Sequence, residues 1–136
     1  MVATIQFVHM TQTQYATGCE VTIGDGAEPT VVHVEGDLDT FSAAQLRAAF
    51  VSSIGRGDVV VDISAVPFMD SAGLGALIGG IRRLREAGAA VAVCSARASV
   101  SRLLHTTGFD RIVPITGSLT DAIDVIAEQR TLAFAT

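Results

Sequence analysis

The sequence predicts a single α/β domain, with a mixed, mostly parallel sheet of about five strands and about four helices packed mainly on one face. Two observations predict this class. Short β-branched runs alternate with segments whose apolar residues recur at helical spacing, an order typical of strand–helix–strand units. The chain has 136 residues, 49% of them apolar and 17% charged, so it can bury one core and is too apolar for a disordered chain.

The first part of the predicted domain is a hairpin followed by a helix. Residues 1–18 are rich in Thr and Gln and lack clear periodicity, which predicts a flexible N-terminal leader. Segments 20–23 and 31–35 flank a turn containing Gly and Pro, and they predict an antiparallel hairpin. Segment 41–54 predicts a helix. Its apolar face consists of Leu46, Ala49, Phe50 and Ile54.

Alternating strands and helices complete the predicted order β-β-α-β-α-β-α-β-α. The predicted segments are 58–63, 71–86, 89–94, 99–107, 111–115 and a closing helix after Ser118. Gly88 and Gly108 predict helix ends, and Ser118 with Asp121 predicts a capped helix start. Residues 131–136 are predicted to be a C-terminal tail. Because such crossovers are right-handed and join parallel strands, the sheet is expected to be parallel after the hairpin.

One serine stands at the junction between a buried strand and an amphipathic helix. Pro67 predicts the end of pairing in the preceding strand, and Asp70 is the natural N-cap of the following helix. Ser71 therefore lies in the first helical turn, where backbone N–H groups and the helix dipole favour negative charge. We expect the hydroxyl to be exposed and the fold to tolerate a phosphate on it.

Composition and spacing exclude several classes of function. The net charge is −5 and the nine basic residues are scattered, which argues against nucleic acid and favours a protein partner. No apolar run approaches the about 20 residues of a membrane span, and no signal pattern opens the chain, so we expect a cytoplasmic protein.

Cysteine and glycine spacing gives no sign of a metal or cofactor. Cys19 and Cys94 lie in apparent strands without metal-ligand spacing, so we expect buried, reduced thiols, no disulfide and no metal. The glycine pattern at 73–75 is too short for a dinucleotide motif, and the chain has no P-loop, so no cofactor is expected.

Segment 70–75, of sequence DSAGLG, together with residues 61–69 before it, resembles the signature of the STAS domain of bacterial anti-sigma factor antagonists. The turn at 36–39, of sequence GDLD, is similar to that family's loop before its first helix. The resemblance covers about residues 19–129 and implies a STAS domain at 19–130. Ala72 stands where many members have a second serine, so a single phosphorylation site is implied.

The resemblance implies a binding module without catalytic activity of its own. In that family, the serine matching Ser71 is phosphorylated by the partner anti-sigma factor, which is an ATP-dependent serine kinase. The unmodified antagonist binds this partner and frees the sigma factor, and a phosphatase acts on the phosphoserine. A monomer or weak dimer is expected. The implied partner-binding residues are Asp37, Asp39, Asp70, Ser71, Ala72, Gly73 and Leu74.

Other interpretations of the same residues stay open at this point. Ser71 can serve only to cap its helix, Asp39 can be the N-cap of the first helix, and Asp37 can be a solvated loop carboxylate. A STAS-like domain can also be a scaffold or partner subunit of a larger signalling complex or of a transporter. A serine hydrolase has the least support, because its nucleophile elbow needs glycine where this chain has Met69.

Overall fold

A computed structural model describes the backbone of residues 4–5, 20–24 and 29–135 and the side chains of residues 29–130. The strands are β1 (Thr4–Ile5), β2 (Glu20–Gly24), β3 (Thr30–Glu35), β4 (Val59–Ala65), β5 (Val91–Cys94) and β6 (Ile115–Thr116). The helices are α1 (Ala43–Ser53), α2 (Ser71–Glu86), α3 (Ala98–Thr106) and α4 (Leu119–Ala135). None of the described helices is long and apolar enough to cross a membrane.

The strands form one mixed sheet in the order β1-β2-β3-β4-β5-β6. Strands β1, β2 and β3 pair antiparallel, and β3 to β6 pair parallel, so the predicted α/β class and the mostly parallel sheet are confirmed. The sheet has six described strands instead of about five. The additional strand is β1, which pairs Ile5 with Ile23 and so places two residues of the predicted leader in the sheet. The rest of that leader lies outside the described residues.

The central strands are buried on both faces, as is usual for parallel strands between helices. Val59, Val60 and Val61 have no exposed surface. Helices α1, α2 and α3 cover one face, and α4 covers the other, so the prediction that most helices share a face is confirmed. The first core includes Val32, Val61, Val93, Phe50, Leu77, Ile81 and Leu104. The second includes Val31, Val60, Ala92, Cys94, Ala122 and Ile126.

The segment after α3 departs from the predicted strand at 111–115. Gly108 ends the helix at a φ of +79°, as predicted, and a 3₁₀ helix, Phe109–Arg111, follows it. Phe109 is only 1% exposed and anchors this turn in the core. Strand β6 begins only at Ile115, because Pro114 has no N–H with which to extend the ladder.

The chain end also differs from the predicted tail, since α4 continues through Ala135. Segment 131–135 contains Leu and Ala, which are strong helix formers. Asp58, 5% exposed, accepts a hydrogen bond from Arg130 Nε at 2.9 Å and one from the Ala90 N–H at 3.0 Å. This ion pair holds α4 against the start of β4 and β5.

Candidate functional site

Ser71 is the first residue of α2 and is exposed to solvent. Asp70 before it has extended backbone, and its Oδ1 accepts the Gly73 N–H at 2.9 Å, so the predicted N-cap is confirmed. Within residues 29–130, the Ser71 hydroxyl takes part in no hydrogen bond. The hydroxyl is therefore accessible at the positive end of a 16-residue helix.

A second loop is joined to the Ser71 loop through Leu38. The Leu38 N–H donates to the Phe68 carbonyl at 2.9 Å, and the Leu38 carbonyl accepts the Asp70 N–H at 3.0 Å. Leu38 and Met69 are paired as an isolated parallel bridge, and both side chains are buried. The tertiary structure thus brings the Asp37–Asp39 loop against Asp70 and Ser71.

Gly73 and Leu74 support this junction from inside. A Cβ on Gly73 would stand 2.2 Å from the Leu38 carbonyl oxygen, so only glycine allows the two loops to approach this closely. Leu74 is 9% exposed and belongs to the core between the sheet and α2. Of the seven predicted partner-binding residues, these two are not accessible, and the surface of the site is formed by the other five.

Asp39 organises the turn into α1. Its Oδ1 accepts the N–H groups of Phe41 at 3.0 Å and Ser42 at 3.1 Å, while the buried Ser42 hydroxyl donates to the Asp37 carbonyl at 2.8 Å. Asp39 therefore stabilises the turn before α1, whereas the N-cap of that helix is Ser42, so the N-cap role considered for Asp39 is not observed. The Asp37 side chain is exposed. Asp37, Asp39 and Asp70 together make this edge of the sheet acidic.

The start of α3 contacts the end of β4 and the segment that leads to Ser71. Arg97, directly before α3, donates from Nε to the Ser64 carbonyl at 3.0 Å, and the Ser99 hydroxyl donates to the Pro67 carbonyl at 3.4 Å. No local sequence pattern indicates Arg97, because its contact joins residues 33 positions apart. Phe41 and Phe68 were not predicted as site residues either, although they stand beside the two acidic turns, because their exposure is visible only in the tertiary structure.

A histidine–aspartate pair lies on the α4 side of the sheet. His33 Nδ1 and Asp62 Oδ2 are 3.0 Å apart. Burial raises the pKa of Asp62, but hydrogen bonds with His33 and Ser64 and the charge of His33 outweigh burial and bring this pKa below its usual value. Cys94 on β5 is paired with Asp62 on the neighbouring strand β4. Burial and the charge of Asp62 raise the pKa of the Cys94 thiol, despite a hydrogen bond with Ser95 that lowers it.

These features give no sign of a metal or nucleophilic centre in the described part of the chain. Cys94 is a buried free thiol, as predicted, and its raised pKa disfavours the reactive thiolate. Cys19 lies outside the described residues. No group of three or more His, Cys, Asp or Glu side chains among the described residues is placed to hold a metal ion.

Known proteins are similar to this chain in sequence and in fold. The family model described as "STAS domain" matches residues 19–122. The anti-sigma F factor antagonist of Paenibacillus polymyxa is 32% identical over 88 residues, which cover 62% of this chain and 75% of that protein. These matches confirm the resemblance found in segments 36–39 and 61–75.

Solved structures agree with this result. The crystal structure of an anti-sigma factor antagonist from Mycobacterium paratuberculosis has a TM-score of 0.69 and 28% identity, covering 80% of this chain and 94% of that one. The phosphorylated form of the Bacillus cell fate determinant SpoIIAA has a TM-score of 0.59 and 21% identity, covering 78% and 98%. The SpoIIAA likeness concerns the fold alone.

Proposed function

Because the chain belongs to the STAS-domain family, we propose that it is an anti-sigma factor antagonist. In its unmodified form it binds an anti-sigma factor that is also an ATP-dependent serine kinase, and it thereby frees a sigma factor for transcription. Phosphorylation of Ser71 by that kinase dissociates the complex, and a phosphatase restores the unmodified form. The observation that carries the proposal is the exposed Ser71 hydroxyl at the capped start of α2.

The first turn of α2 favours a phosphate on Ser71. A phosphoserine adds about −1.5 to −2 charges at pH 7, and negative charge at a helix N-terminus is stabilised by roughly 0.3–1 kcal/mol. The unphosphorylated and phosphorylated forms of SpoIIAA both share the fold of this chain, so that protein stays folded with a phosphoryl group attached. We therefore expect modification to leave the domain folded.

The same phosphate is unfavourable inside a protein–protein contact. Asp37, Asp39 and Asp70 already make this edge of the domain acidic, and a docked partner excludes the water that would solvate a further charge. Leaving a charge buried and unpaired costs about 2–5 kcal/mol or more. Since about 1.4 kcal/mol corresponds to a tenfold change in affinity, this cost weakens binding roughly 30-fold to several-thousand-fold.

The contact surface is formed by the accessible residues of the site. They are Asp37, Asp39, Asp70, Ser71 and Ala72, with Gly73 and Leu74 supporting them from the core. A partner that uses ATP places the complex in the cytoplasm, and we expect the free chain to be a monomer or weak dimer. No cofactor takes part on this side of the complex.

In this function the chain is a binding partner and a kinase substrate, and it catalyses no reaction. The relatives are named as antagonists of anti-sigma factors and so as regulators. The two histidines with described side chains are paired with carboxylates: His33 with Asp62 at 3.0 Å and His105 with Asp110 at 2.7 Å. A serine hydrolase needs a histidine base beside its nucleophile, and the described contacts of Ser71 include none.

The proposal is tested with the purified chain and candidate anti-sigma factor kinases from the same genome. Mass spectrometry after incubation with ATP should place one phosphate on Ser71 in the wild type and in the control Ser101→Ala, an exposed serine on α3. Ser71→Ala should bind the kinase and resist release by ATP. Ser71→Asp should bind at least about 30-fold more weakly by calorimetry.

Two results would contradict this function. One is equal affinity of the wild type and Ser71→Asp for a kinase that modifies the chain. The other is elution of the native chain within a very large particle or together with a transporter, which would favour the scaffold or partner-subunit interpretation.

A further inference from the structure

The four phenylalanines with described side chains fall into two groups. Phe50 and Phe109 are in the core, each with 1% of its surface exposed, whereas Phe41 is 76% and Phe68 is 51% exposed. An exposed ring contributes little to folding, because removal from water is what makes an aromatic side chain stabilising. Both exposed rings flank the candidate site, with Phe41 two residues after Asp39 and Phe68 three residues before Ser71.

Hydrogen bonds hold the backbone at both exposed phenylalanines in place. The Phe41 N–H donates to Asp39 Oδ1 at 3.0 Å, and the Phe68 carbonyl accepts the Leu38 N–H at 2.9 Å. Since Leu38 and Asp39 are consecutive residues of one loop, these two hydrogen bonds fix the backbones of the two phenylalanines on adjoining loops. A surface ordered before binding loses less conformational entropy when a partner docks.

We propose that Phe41 and Phe68 are the apolar anchors by which the anti-sigma factor kinase recognises this chain. This inference rests on the proposed function and adds to it the chemistry of the contact. Fully buried aromatic residues are typical of the few positions that supply most of the binding energy in an interface. The partner surface therefore has apolar pockets for two rings next to the kinase active site, since Ser71 must reach that active site.

The carboxylates around the rings specify the rest of the partner surface. Asp37 and Asp70 carry negative charge on the same two loops, so the pockets for the rings are bordered by Arg or Lys side chains. The same charges disfavour a second copy of this chain as the occupant. A symmetric contact through these loops would place carboxylates against carboxylates.

The anchors also give a physical reason for release by phosphorylation. In the complex, each basic side chain of the partner pairs with a carboxylate of this chain. The partner surface that receives Phe68 is apolar. A phosphate on Ser71 would have to lose its water beside that apolar contact without a further cation to pair with. Phosphorylation therefore acts by making the docking of Phe68 unfavourable.

The test measures the affinity of Phe41→Ala and Phe68→Ala for the kinase that phosphorylates the wild type at Ser71. The matched control is Ile112→Ala, an apolar side chain 49% exposed after the 3₁₀ helix. Each phenylalanine variant should weaken binding by about tenfold or more. The control should stay within about twofold of the wild type, as surface substitutions usually do. Thermal unfolding checks that each variant is folded. If Phe68→Ala does not fold, Phe68→Leu is measured in its place.

The outcomes separate this inference from the proposed function. Suppose that the wild type binds, that Ser71→Asp does not, and that both phenylalanine variants bind within about twofold of the wild type. The role of Phe41 and Phe68 as anchors is then refuted, while release by phosphorylation of Ser71 is supported. If no kinase binds the wild type or modifies Ser71, the proposed function itself fails. If sedimentation shows that the variants dissociate a dimer of the wild type, the occupant is a second copy and the inference is overturned.

Discussion

The carbonyl oxygen of Leu38 lies so close to Gly73 that a Cβ at residue 73 would stand only 2.2 Å from it. This contact joins the loop before α1 to the first turn of α2, and it sets the distance between the acidic residues of the two loops. Gly75, two residues further along the same helix, has nothing within 4 Å of an added Cβ. The two glycines of one motif therefore have different physical roles.

Gly73→Ala should destabilise the domain, because the Leu38 carbonyl is backbone and can move only with its loop. We expect a loss of about 1–3 kcal/mol or more in the free energy of unfolding, measured by urea denaturation. Gly75→Ala is the matched control and should be neutral or stabilise by up to about 1 kcal/mol, because it lowers the entropy of the unfolded chain. Equal stability of the two variants would refute the close contact.

Asp70→Ala should destabilise α2 through loss of its N-cap. The Oδ1 atom that accepts the Gly73 N–H at 2.9 Å is removed, at a cost of about 0.5–2 kcal/mol. Asp70→Asn keeps an acceptor oxygen at that place and should retain most of the stability. Urea denaturation of the two variants checks this, and an asparagine variant as unstable as the alanine variant would show that charge, not capping, stabilises the turn.

Asp39→Asn and Asp39→Ala separate hydrogen bonding from charge in the turn before α1. Asparagine can still accept hydrogen bonds from the N–H groups of Phe41 and Ser42. We therefore expect the free energy of unfolding of Asp39→Asn to lie within about 0.5 kcal/mol of that of the wild type. Alanine leaves these donors without their side-chain acceptor and should cost about 1–2 kcal/mol. Calorimetric titration with the kinase then tests the charge alone. If Asp39→Asn is stable and binds weakly, Asp39 is a direct partner contact. If Asp39→Asn binds as tightly as the wild type, the role of Asp39 is limited to positioning Phe41.

Asp62 should make part of the stability depend on acid pH. Its pKa is lowered in the folded state, so its favourable contribution is present above the unfolded value of about 4 and is lost as the pH falls through the folded value. Asp62→Asn should therefore be less stable than the wild type at neutral pH, with a difference that shrinks below about pH 4. Urea denaturation at a series of pH values measures this. A difference that stays constant into strong acid would contradict the lowered pKa.

Cys94 should be unreactive in the folded protein. The thiol has no exposed surface, and burial together with the charge of Asp62 raises its pKa, so both access and thiolate formation are disfavoured. In a Cys19→Ser background, labelling by a thiol reagent should be slow in buffer and fast in urea, with a midpoint that matches unfolding. Rapid labelling under native conditions would show that α4 does not stay closed over this face.

Local chemistry explains how much could be predicted from sequence. The cap of α2 joins Asp70 to Gly73, three residues apart, and Ser118 accepts the Asp121 N–H at 3.1 Å over the same separation. Such contacts depend only on residue type and spacing, so sequence patterns predicted both helix starts. The alternation of strands and helices is equally local, and the DSAGLG segment is specific enough to indicate the family by itself.

Only the tertiary structure decided how distant segments meet. Nothing in the sequence distinguishes Gly73 from Gly75, and the difference arises because the chain path brings Leu38 to one of them. The hydrogen bond of Arg97 with Ser64 and the ion pair of Arg130 with Asp58 likewise join residues that are 33 and 72 positions apart. The exposure of Phe41 and Phe68, two apolar residues that composition alone would assign to a core, follows from the same cause. Element order is a property of neighbouring residues, whereas the candidate site depends on packing, which determines which loops touch and which side chains remain in water.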